Sequence, residues 1–166
     1  MSTRALVPVE EYLRMSFDGP DPEYLDGELR ERNLGGNSHS STQINLGAML
    51  HSLKKKHRFH VRPELHMRLA ATRIRVADLA VFLDEPTEEI PSSPPHIVAE
   101  IVSPGDRYIE IHEKLEEYRG WGIRHIWLLD PASQTFSIYD DAGLREVRAL
   151  ELPEFELAIQ KADVFE

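Results

Sequence analysis

Two kinds of apolar spacing alternate along the chain, and together they predict a protein of mixed helices and strands. Residues 39–56 and 106–119 carry apolar side chains at helical intervals, and the second stretch runs into glycines that can end a helix. Residues 74–83 and 96–102 are nearly continuous apolar runs of the kind found in buried strands. Residues 126–129 predict one more core strand. The order of strand, helix and strand in this half favours a parallel, right-handed crossover.

Shorter elements complete this expectation. Turn residues at Asp26-Gly27 introduce a first strand, and Asp140 to Gly143 joins the two strands of a hairpin. The remaining predicted elements are a helix at 8–15 and strands at 28–34, 59–61, 64–69, 136–139 and 144–150, with a break at Pro63. We therefore expect one domain over residues 1–166, of the α/β class (an α+β mixed sheet): a central mixed β-sheet flanked by helices, with a C-terminal hairpin.

Composition limits the chemistry and the cellular location that we expect of this domain. The 166 residues include no cysteine, which excludes disulfides and thiolate metal ligands. No apolar run approaches the roughly 20 residues that span a bilayer, and the N-terminus lacks the apolar core of a signal peptide. We expect a soluble, cytoplasmic protein with no membrane partner. The net charge of −10 argues against a protein that simply coats DNA, which would be basic overall.

Two acidic residues interrupt the predicted core strands. Asp78 lies within the apolar run 76–82, and Glu100 lies within 97–102. An ionised carboxylate in an apolar strand is costly unless it has a partner or a metal ion. A hard divalent cation bound by oxygen ligands would compensate both acids at once. The alternative is an edge position or a salt bridge, for example to Arg75.

Lys114 is the third candidate, on the helix that follows the Glu100 strand. From there a lysine could reach back to the strand end, where it would orient a water molecule or stabilise charge on a phosphate. The competing interpretation is a solvated helix lysine paired with Glu110 or Glu117. Spacing alone favours that second interpretation.

A family resemblance changes this balance. The sequence resembles the Uma2 family, formerly a domain of unknown function (DUF820), over roughly residues 8–150. The resemblance is carried by the segments 23–29, His39, 75–81, 99–104, 114–118 and 122–131. That family is placed in the PD-(D/E)xK superfamily, so the resemblance implies a restriction-endonuclease-like fold.

The resemblance also implies roles for individual residues. Asp78 and Glu100 are the expected metal ligands and catalytic acids, and Ile101 is expected to offer its backbone carbonyl to the metal. Glu23 resembles an additional catalytic acid from the first part of the fold. Lys114 resembles the catalytic lysine, moved from the strand to the following helix. The implied cofactor is Mg²⁺, with Mn²⁺ as a substitute, and the implied substrate is DNA.

The sequence departs from the superfamily motif at two positions. Ala77 stands where the motif has proline, a mild change because proline is not a ligand. Val102 stands where the strand lysine of the ExK motif would be. Within the family, the helix lysine Lys114 is taken to replace it.

Several further residues are weaker candidates for contact with nucleic acid. Lys54, Lys55 and Lys56 could bind the phosphate backbone, although a solvated helix end is the favoured explanation. His39 begins the long helix and could face the site. The other histidines lack zinc-type spacing, and we expect them at the surface.

Three functions remain open from the sequence. The first is a Mg²⁺-dependent endonuclease that hydrolyses DNA, for which a homodimer would allow both strands to be cut. The second is an inactive nucleic-acid-binding or assembly module that keeps the nuclease fold. The third is a structural metal-binding protein without a nucleic-acid partner.

Overall fold

The computed structural model describes residues 6–165. Residues 1–5 and 166, which the predicted domain includes, lie outside this range. The helices are α1 (Val9–Tyr12), α2 (Asn37–Ser52), α3 (Lys54–His57), α4 (Tyr108–Trp121) and α5 (Ala162–Phe165). The strands are β1 (Glu23–Leu25), β2 (Glu28–Arg30), β3 (His60–Ala70), β4 (Arg73–Phe82), β5 (Ile97–Ile101), β6 (His125–Asp130), β7 (Thr135–Asp140), β8 (Gly143–Val147), β9 (Ala149–Leu152) and β10 (Leu157–Gln160), with a 3₁₀ turn at Pro153–Phe155. No helix among the described residues is long and apolar enough to cross a bilayer.

The main sheet is mixed, as the sequence predicts. Its strands lie in the order β2-β1-β4-β5-β6-β7-β8, and β3 pairs with β4 outside this path. Among the described strands, β5 and β6 form the parallel pair, with α4 as the connection between them. The other pairings are antiparallel, and they include the β7–β8 hairpin. The expected mixed sheet, its parallel unit and its C-terminal hairpin are thus confirmed.

The structure corrects the prediction in several places. The helix predicted at 39–56 is divided into α2 and α3, and the strand predicted at 144–150 is divided into β8 and β9. Pro63 does not divide two strands, because it pairs with Leu79 inside the continuous strand β3. Among the described strands, β3 is hydrogen-bonded only to β4. Its other edge has no strand partner, so a residue without an N–H is tolerated on that edge. The turn at Asp26-Gly27 joins two strands, of which β1 was missed. The separate β9–β10 sheet was missed as well.

Strand β4 changes neighbours partway along its length. On the side away from β3, Ile74 still pairs with β1, and pairing with β5 begins only at Leu79. The residues between these two pairings have no strand partner on that side. Buried backbone groups must nevertheless be hydrogen-bonded, so this gap in the sheet needs side chains from elsewhere. Asp78 lies in the gap.

The alternation of side chains along β5 sends its residues to two different cores. Ile97, Ala99 and Ile101 pack with Leu46 and Leu50 of α2 on one face of the sheet. The intervening residues face the other side, where Val98 packs with Leu115 and Tyr118 of α4. Glu100 shares the face of Val98 and therefore points at α4.

Helix α4 presents a lysine and a tyrosine to that face. Lys114 and Tyr118 are four residues apart, which places both on one side of the helix. Gly122 ends the helix in the left-handed region at φ 101°, a conformation that glycine adopts without steric cost. The helix runs slightly later than the predicted 106–119, but its position after β5 is as predicted.

Candidate active site

A cleft of about 350 Å³ opens where β4 changes neighbours. Its lining includes the four residues that the resemblance named as catalytic, namely Asp78, Glu100, Lys114 and Glu23. These residues come from β4, β5, α4 and β1. The fold therefore brings together side chains that are up to 91 positions apart in the sequence, from 23 to 114.

Glu100 is buried and accepts hydrogen bonds at both carboxylate oxygens. Tyr118 donates to Oε1 at 2.8 Å, and the Lys114 ammonium donates to Oε2 at 2.8 Å. Burial raises the pKa of Glu100 to about 7, because the opposing effect of Lys114 is offset in part by the charge of Asp78. An additional positive charge nearby would therefore stabilise the ionised form of Glu100.

Asp78 is equally buried but is surrounded by more donors. The backbone N–H of Ile101 donates to Oδ2 at 2.7 Å, and Arg32 donates to Oδ1 at 3.2 Å. Nε2 of His39 lies 3.4 Å from Oδ2. Burial raises the pKa of Asp78, but the His39 imidazole and the charge of Lys114 outweigh it, so the pKa lies below its ordinary value. Asp78 is therefore ionised at neutral pH.

Lys114 lies between two carboxylates and a backbone carbonyl. Its Nζ is 2.8 Å from Oε2 of Glu100, 2.8 Å from Oε1 of Glu23 and 2.8 Å from the carbonyl oxygen of Val76. Burial alone would lower the pKa of Lys114, but the carboxylates, led by Glu100 and Glu23, raise it above its ordinary value. The ammonium is thus charged and held in one position, in contrast to the solvated helix lysine that spacing alone favoured.

Glu23 is the acceptor that Lys114 and Arg75 share. Its carboxylate accepts from the N–H of Val76 at 3.1 Å and from Arg75 at 2.6 Å, in addition to its contact with Lys114. Burial raises the pKa of Glu23, but the charges of Lys114 and Arg75 lower it to about 2. Glu23 and Lys114 together satisfy the N–H and the carbonyl of Val76, both of which lie in the β4 gap.

Asp78 and Glu100 each form a salt bridge, as the alternative interpretation expected, but with Arg32 and Lys114. Arg75 pairs with neither of these two acids. It is 1% exposed, and its guanidinium bonds Glu23 and, through Nε and Nη2, both oxygens of Glu117 at 2.8 Å. A planar guanidinium that meets a carboxylate with two parallel bonds is held firmly in position. Arg75 therefore fixes Glu23, and through it Lys114.

Replacing Arg75 by methionine will destabilise the fold by about 3 kcal/mol, because the buried Glu23 and Glu117 carboxylates lose their partner. Chemical denaturation of both proteins measures the difference. The matched control is Arg58→Met, whose guanidinium is 73% exposed in its pair with Asp84. An exposed pair contributes less than about 1 kcal/mol. Equal losses in the two variants would contradict the role assigned to Arg75.

Not every residue named from the sequence lies in the cleft. His39 does, and it contacts Asp78. Lys54, Lys55 and Lys56 are exposed on α3 and are not part of the cleft lining. His57, at the end of α3, packs instead against Phe155 of the 3₁₀ turn, with ring centroids 5.2 Å apart.

The expectation of surface histidines was too simple. His57, His60 and His66 are half-buried, and so are His96 and His125. Spacing along the sequence does not show which imidazoles are buried or which of them meet, because residues that meet in space can be far apart along the chain.

Several residues of the cleft were not found from the sequence. Tyr118 had been seen only as an apolar helix position, although its spacing from Lys114 was a usable signal. Arg32 reaches from the segment after β2 and bridges Glu64 at 2.8 Å and Asp78. Gln43 of α2 donates to Glu64 and to the carbonyl of Asp78, both at 2.9 Å. Arg32 and Gln43 carry no local pattern that separates them from surface residues.

The donor set of the cleft suits a hard divalent cation. Asp78 and Glu100 are buried, point into one cleft and offer only oxygen atoms, which are the ligands that Mg²⁺ prefers. A carboxylate has about four lone-pair sites, and Glu100 uses one on each oxygen for its two hydrogen bonds. Oxygen lone pairs therefore remain for a metal ion.

Such a fold and such a cluster define a protein of the restriction-endonuclease-like class. The family model Uma2, described as "Putative restriction endonuclease", matches residues 9–163. The chain belongs to the Uma2 family, which confirms the resemblance read from the sequence.

A comparison with solved structures agrees with this fold. A crystal structure from Anabaena variabilis, described as a "putative nuclease belonging to DUF820", superposes with a TM-score of 0.83 at 21% identity. The alignment covers 96% of this chain and 97% of that one. At this identity the likeness establishes a shared fold over nearly the whole length. None of the curated proteins matches the chain significantly.

Proposed function

We propose that the protein is a Mg²⁺-dependent endonuclease that hydrolyses DNA phosphodiester bonds, with Mn²⁺ as a substitute cation. The observation that carries the proposal is the meeting of Asp78, Glu100 and Lys114 in one cleft. Two buried carboxylates can hold a catalytic metal ion, and a fixed ammonium can stabilise the charge that develops on the phosphate. Membership in a family described as a putative restriction endonuclease supports the same chemistry.

Asp78 and Glu100 are the ligands that would hold the cation, with the backbone carbonyl of Ile101 as a further ligand. The N–H of Ile101 already donates to Asp78, which ties the end of β5 to β4 and sets the spacing of the two strands. When bound, the cation supplies Lewis acidity that activates a water molecule and offsets charge on the phosphate. Tyr118 keeps the Glu100 carboxylate in its orientation.

Lys114 is the group that would meet the reacting phosphate or orient the attacking water. Glu23 and the Val76 carbonyl hold its ammonium beside Glu100, so little reorganisation is needed when charge develops on the phosphate. In this arrangement Glu23 forms a salt bridge with Lys114 and accepts a hydrogen bond from Arg75. We therefore propose that Glu23 positions the lysine, in addition to any contact with a metal-bound water.

The cleft lining includes cationic side chains that could contact the DNA backbone. Arg30, Arg32 and Arg107 belong to it, together with His39. Arginine and histidine side chains that contact phosphates fix the register of a duplex without reading its sequence. Each of these arginines is already paired with an acid, so a phosphate would compete with carboxylates for them. The lining also contains several acids and is therefore mixed rather than basic. The exposed Lys54 to Lys56 would contact only DNA that extends well beyond the cleft.

The proposal is tested by calorimetric titration with Mg²⁺ and by nicking of supercoiled plasmid at increasing Mg²⁺ concentration. We expect Mg²⁺ to bind and nicking to follow its occupancy. Binding without nicking would instead support an inactive nucleic-acid-binding or assembly module. If Mg²⁺ did not bind and no nicking occurred, neither the endonuclease nor the inactive module would be supported. Sedimentation of the protein with a duplex tests whether the active species is a homodimer.

A further inference from the structure

A second cluster of metal-ligating side chains lies at the opposite end of the sheet. His96 directly precedes β5, His125 is the first residue of β6, and Glu154 lies in the 3₁₀ turn. About 13 Å of extended strand separates His96 from Glu100. The cluster is therefore distinct from the candidate active site, and no residue of it lines the cleft.

The ligand atoms of this cluster converge on one point. Nε2 of His96 is 2.7 Å and Nε2 of His125 is 2.5 Å from Oε1 of Glu154, and the three atoms all lie within 4.8 Å of one another. The backbone sets this approach, because β5 and β6 are parallel and the N–H of His125 donates to the carbonyl of His96 at 3.1 Å. The two imidazoles are thus brought together by the sheet itself.

These distances are close to those of a tetrahedral metal site. Ligand atoms about 2.0–2.2 Å from a Zn²⁺ ion are separated from each other by roughly 3.3–3.6 Å. The Glu154 oxygen would have to move away from the two imidazoles by less than about 1 Å. The side chains are 17%, 17% and 24% exposed, so the site can admit an ion and a water molecule as fourth ligand.

The chemistry of the donors selects the metal. Two imidazoles and one carboxylate form a known ligand set of Zn²⁺, whereas Mg²⁺ prefers oxygen ligands alone. An ionised carboxylate only accepts hydrogen bonds, so each Nε2 that bonds Glu154 carries a proton in this arrangement. Metal binding at Nε2 therefore requires a neutral imidazole in the tautomer whose proton is on Nδ1. Arg124, whose Nε lies 3.5 Å from Oε1 of Glu154, opposes a cation, but its side chain is 67% exposed and free to turn into solvent.

The carboxylate is held in place by the residue that follows it. Phe155 packs edge-on against Phe59 at 4.9 Å and against His96 at 5.6 Å between ring centroids. The 3₁₀ turn is therefore docked on the strand ends before any ion binds, which lowers the ordering cost of binding.

We propose that His96, His125 and Glu154 bind one Zn²⁺ ion, which fastens the C-terminal β9–β10 segment to the main sheet. The ion joins the residue before β5 and the first residue of β6 to the turn between β9 and β10. Zn²⁺ would therefore stabilise the fold without taking part in the chemistry of the cleft.

The test is calorimetric titration of chelator-treated full-length protein with ZnCl₂. The titration uses an Asp78→Asn/Glu100→Gln background, so that the cleft does not contribute. We expect one equivalent of Zn²⁺ to bind, and Glu154→Gln to weaken binding by roughly 100-fold, since a lost outer-shell partner alone costs up to that much. The control is His51→Gln, which changes an exposed histidine of α2 and leaves binding unchanged.

A second measurement separates binding from a folding defect. In the Asp78→Asn/Glu100→Gln background, Zn²⁺ should raise the Tm, and adding Glu154→Gln should abolish this rise. Mg²⁺ should leave the Tm of both proteins unchanged. If Glu154→Gln fails to fold, His96→Gln takes its place in both measurements. Equal Zn²⁺ affinity with and without Glu154, or no Zn²⁺ uptake by the folded wild type, would overturn the proposal. The nuclease proposal is unaffected by either result, because it depends on other residues.

Discussion

Replacing Glu100 by glutamine will lower Mg²⁺-dependent DNA nicking by about a thousand-fold. The substitution keeps the shape of the side chain but removes the negative charge that would face the cation. Several kcal/mol of transition-state stabilisation come from such a metal ion, and each 1.36 kcal/mol corresponds to a factor of ten in rate. Asp78→Asn should show a loss of the same order. Plasmid nicking and Mg²⁺ titration of both variants measure the two effects together.

The control for these variants is Glu89→Gln, an exposed acid in the loop before β5. It should nick plasmid at the wild-type rate. The Glu100→Gln protein must also remain folded. Its amide oxygen can accept from Lys114, and its amide NH₂ can donate to the hydroxyl oxygen of Tyr118. Full nicking activity in folded Glu100→Gln would refute the metal-ligand role. An equal loss in Glu89→Gln would show that the loss is not specific to the cleft.

Replacing Lys114 by methionine will lower nicking by roughly a hundred- to a thousand-fold while Mg²⁺ binding persists. The loss corresponds to removal of one preorganised charged donor at the phosphate. Methionine fills a similar volume without the charge. Without Mg²⁺, the variant should also lose about 3 kcal/mol of stability, because Glu100 and Glu23 stay buried without their shared partner. Saturating Mg²⁺ should restore part of the lost stability, since the cation offsets the negative charge of Glu100.

Two further variants distinguish chemistry from packing. Lys114→Arg keeps the charge but cannot place a compact ammonium among three acceptors, so we expect it to recover stability more than activity. Lys55→Met removes an exposed lysine of α3 and should change neither. If Lys114→Met nicked plasmid at the wild-type rate, the lysine would be only structural. Nicking kinetics and denaturation curves of the four proteins decide between these roles.

The electrostatics of the cleft give these predictions a common cause. Glu23, Asp78 and Glu100 are three buried carboxylates, which pair with Arg75, Arg32 and the partly buried Lys114. Burial is the largest cause of the raised pKa of Glu100, which is about 7, and the charges of Asp78 and Glu23 add to it. A divalent cation beside Glu100 would stabilise its ionised form, which is why the same substitutions are expected to affect metal binding, activity and stability.

The sequence was sufficient for the strands and helices that carry the cleft. The acids stood out because a charge within an apolar run is a local signal, visible without any knowledge of neighbours. Strand β4, strand β5 and helix α4 were predicted close to their actual bounds. Their parallel unit follows from general rules of chain connection.

The partners of each side chain were beyond the reach of the sequence. Spacing alone favoured Glu110 or Glu117 as the partner of Lys114, whereas the structure gives it Glu100 and Glu23. Glu23 lies on the missed strand β1, whose three residues show no periodic pattern to read. Local patterns cannot predict contacts over such separations.

The sequence by itself determined which segments are buried and that two of them carry an acid, because apolar periodicity acts within each segment. Tertiary structure alone decided where β4 loses its strand neighbours, and therefore where side chains must satisfy its backbone. It also decided that His96 and His125 meet Glu154. Such meetings depend on strand register and long-range packing, which are properties of the whole fold rather than of any stretch of it.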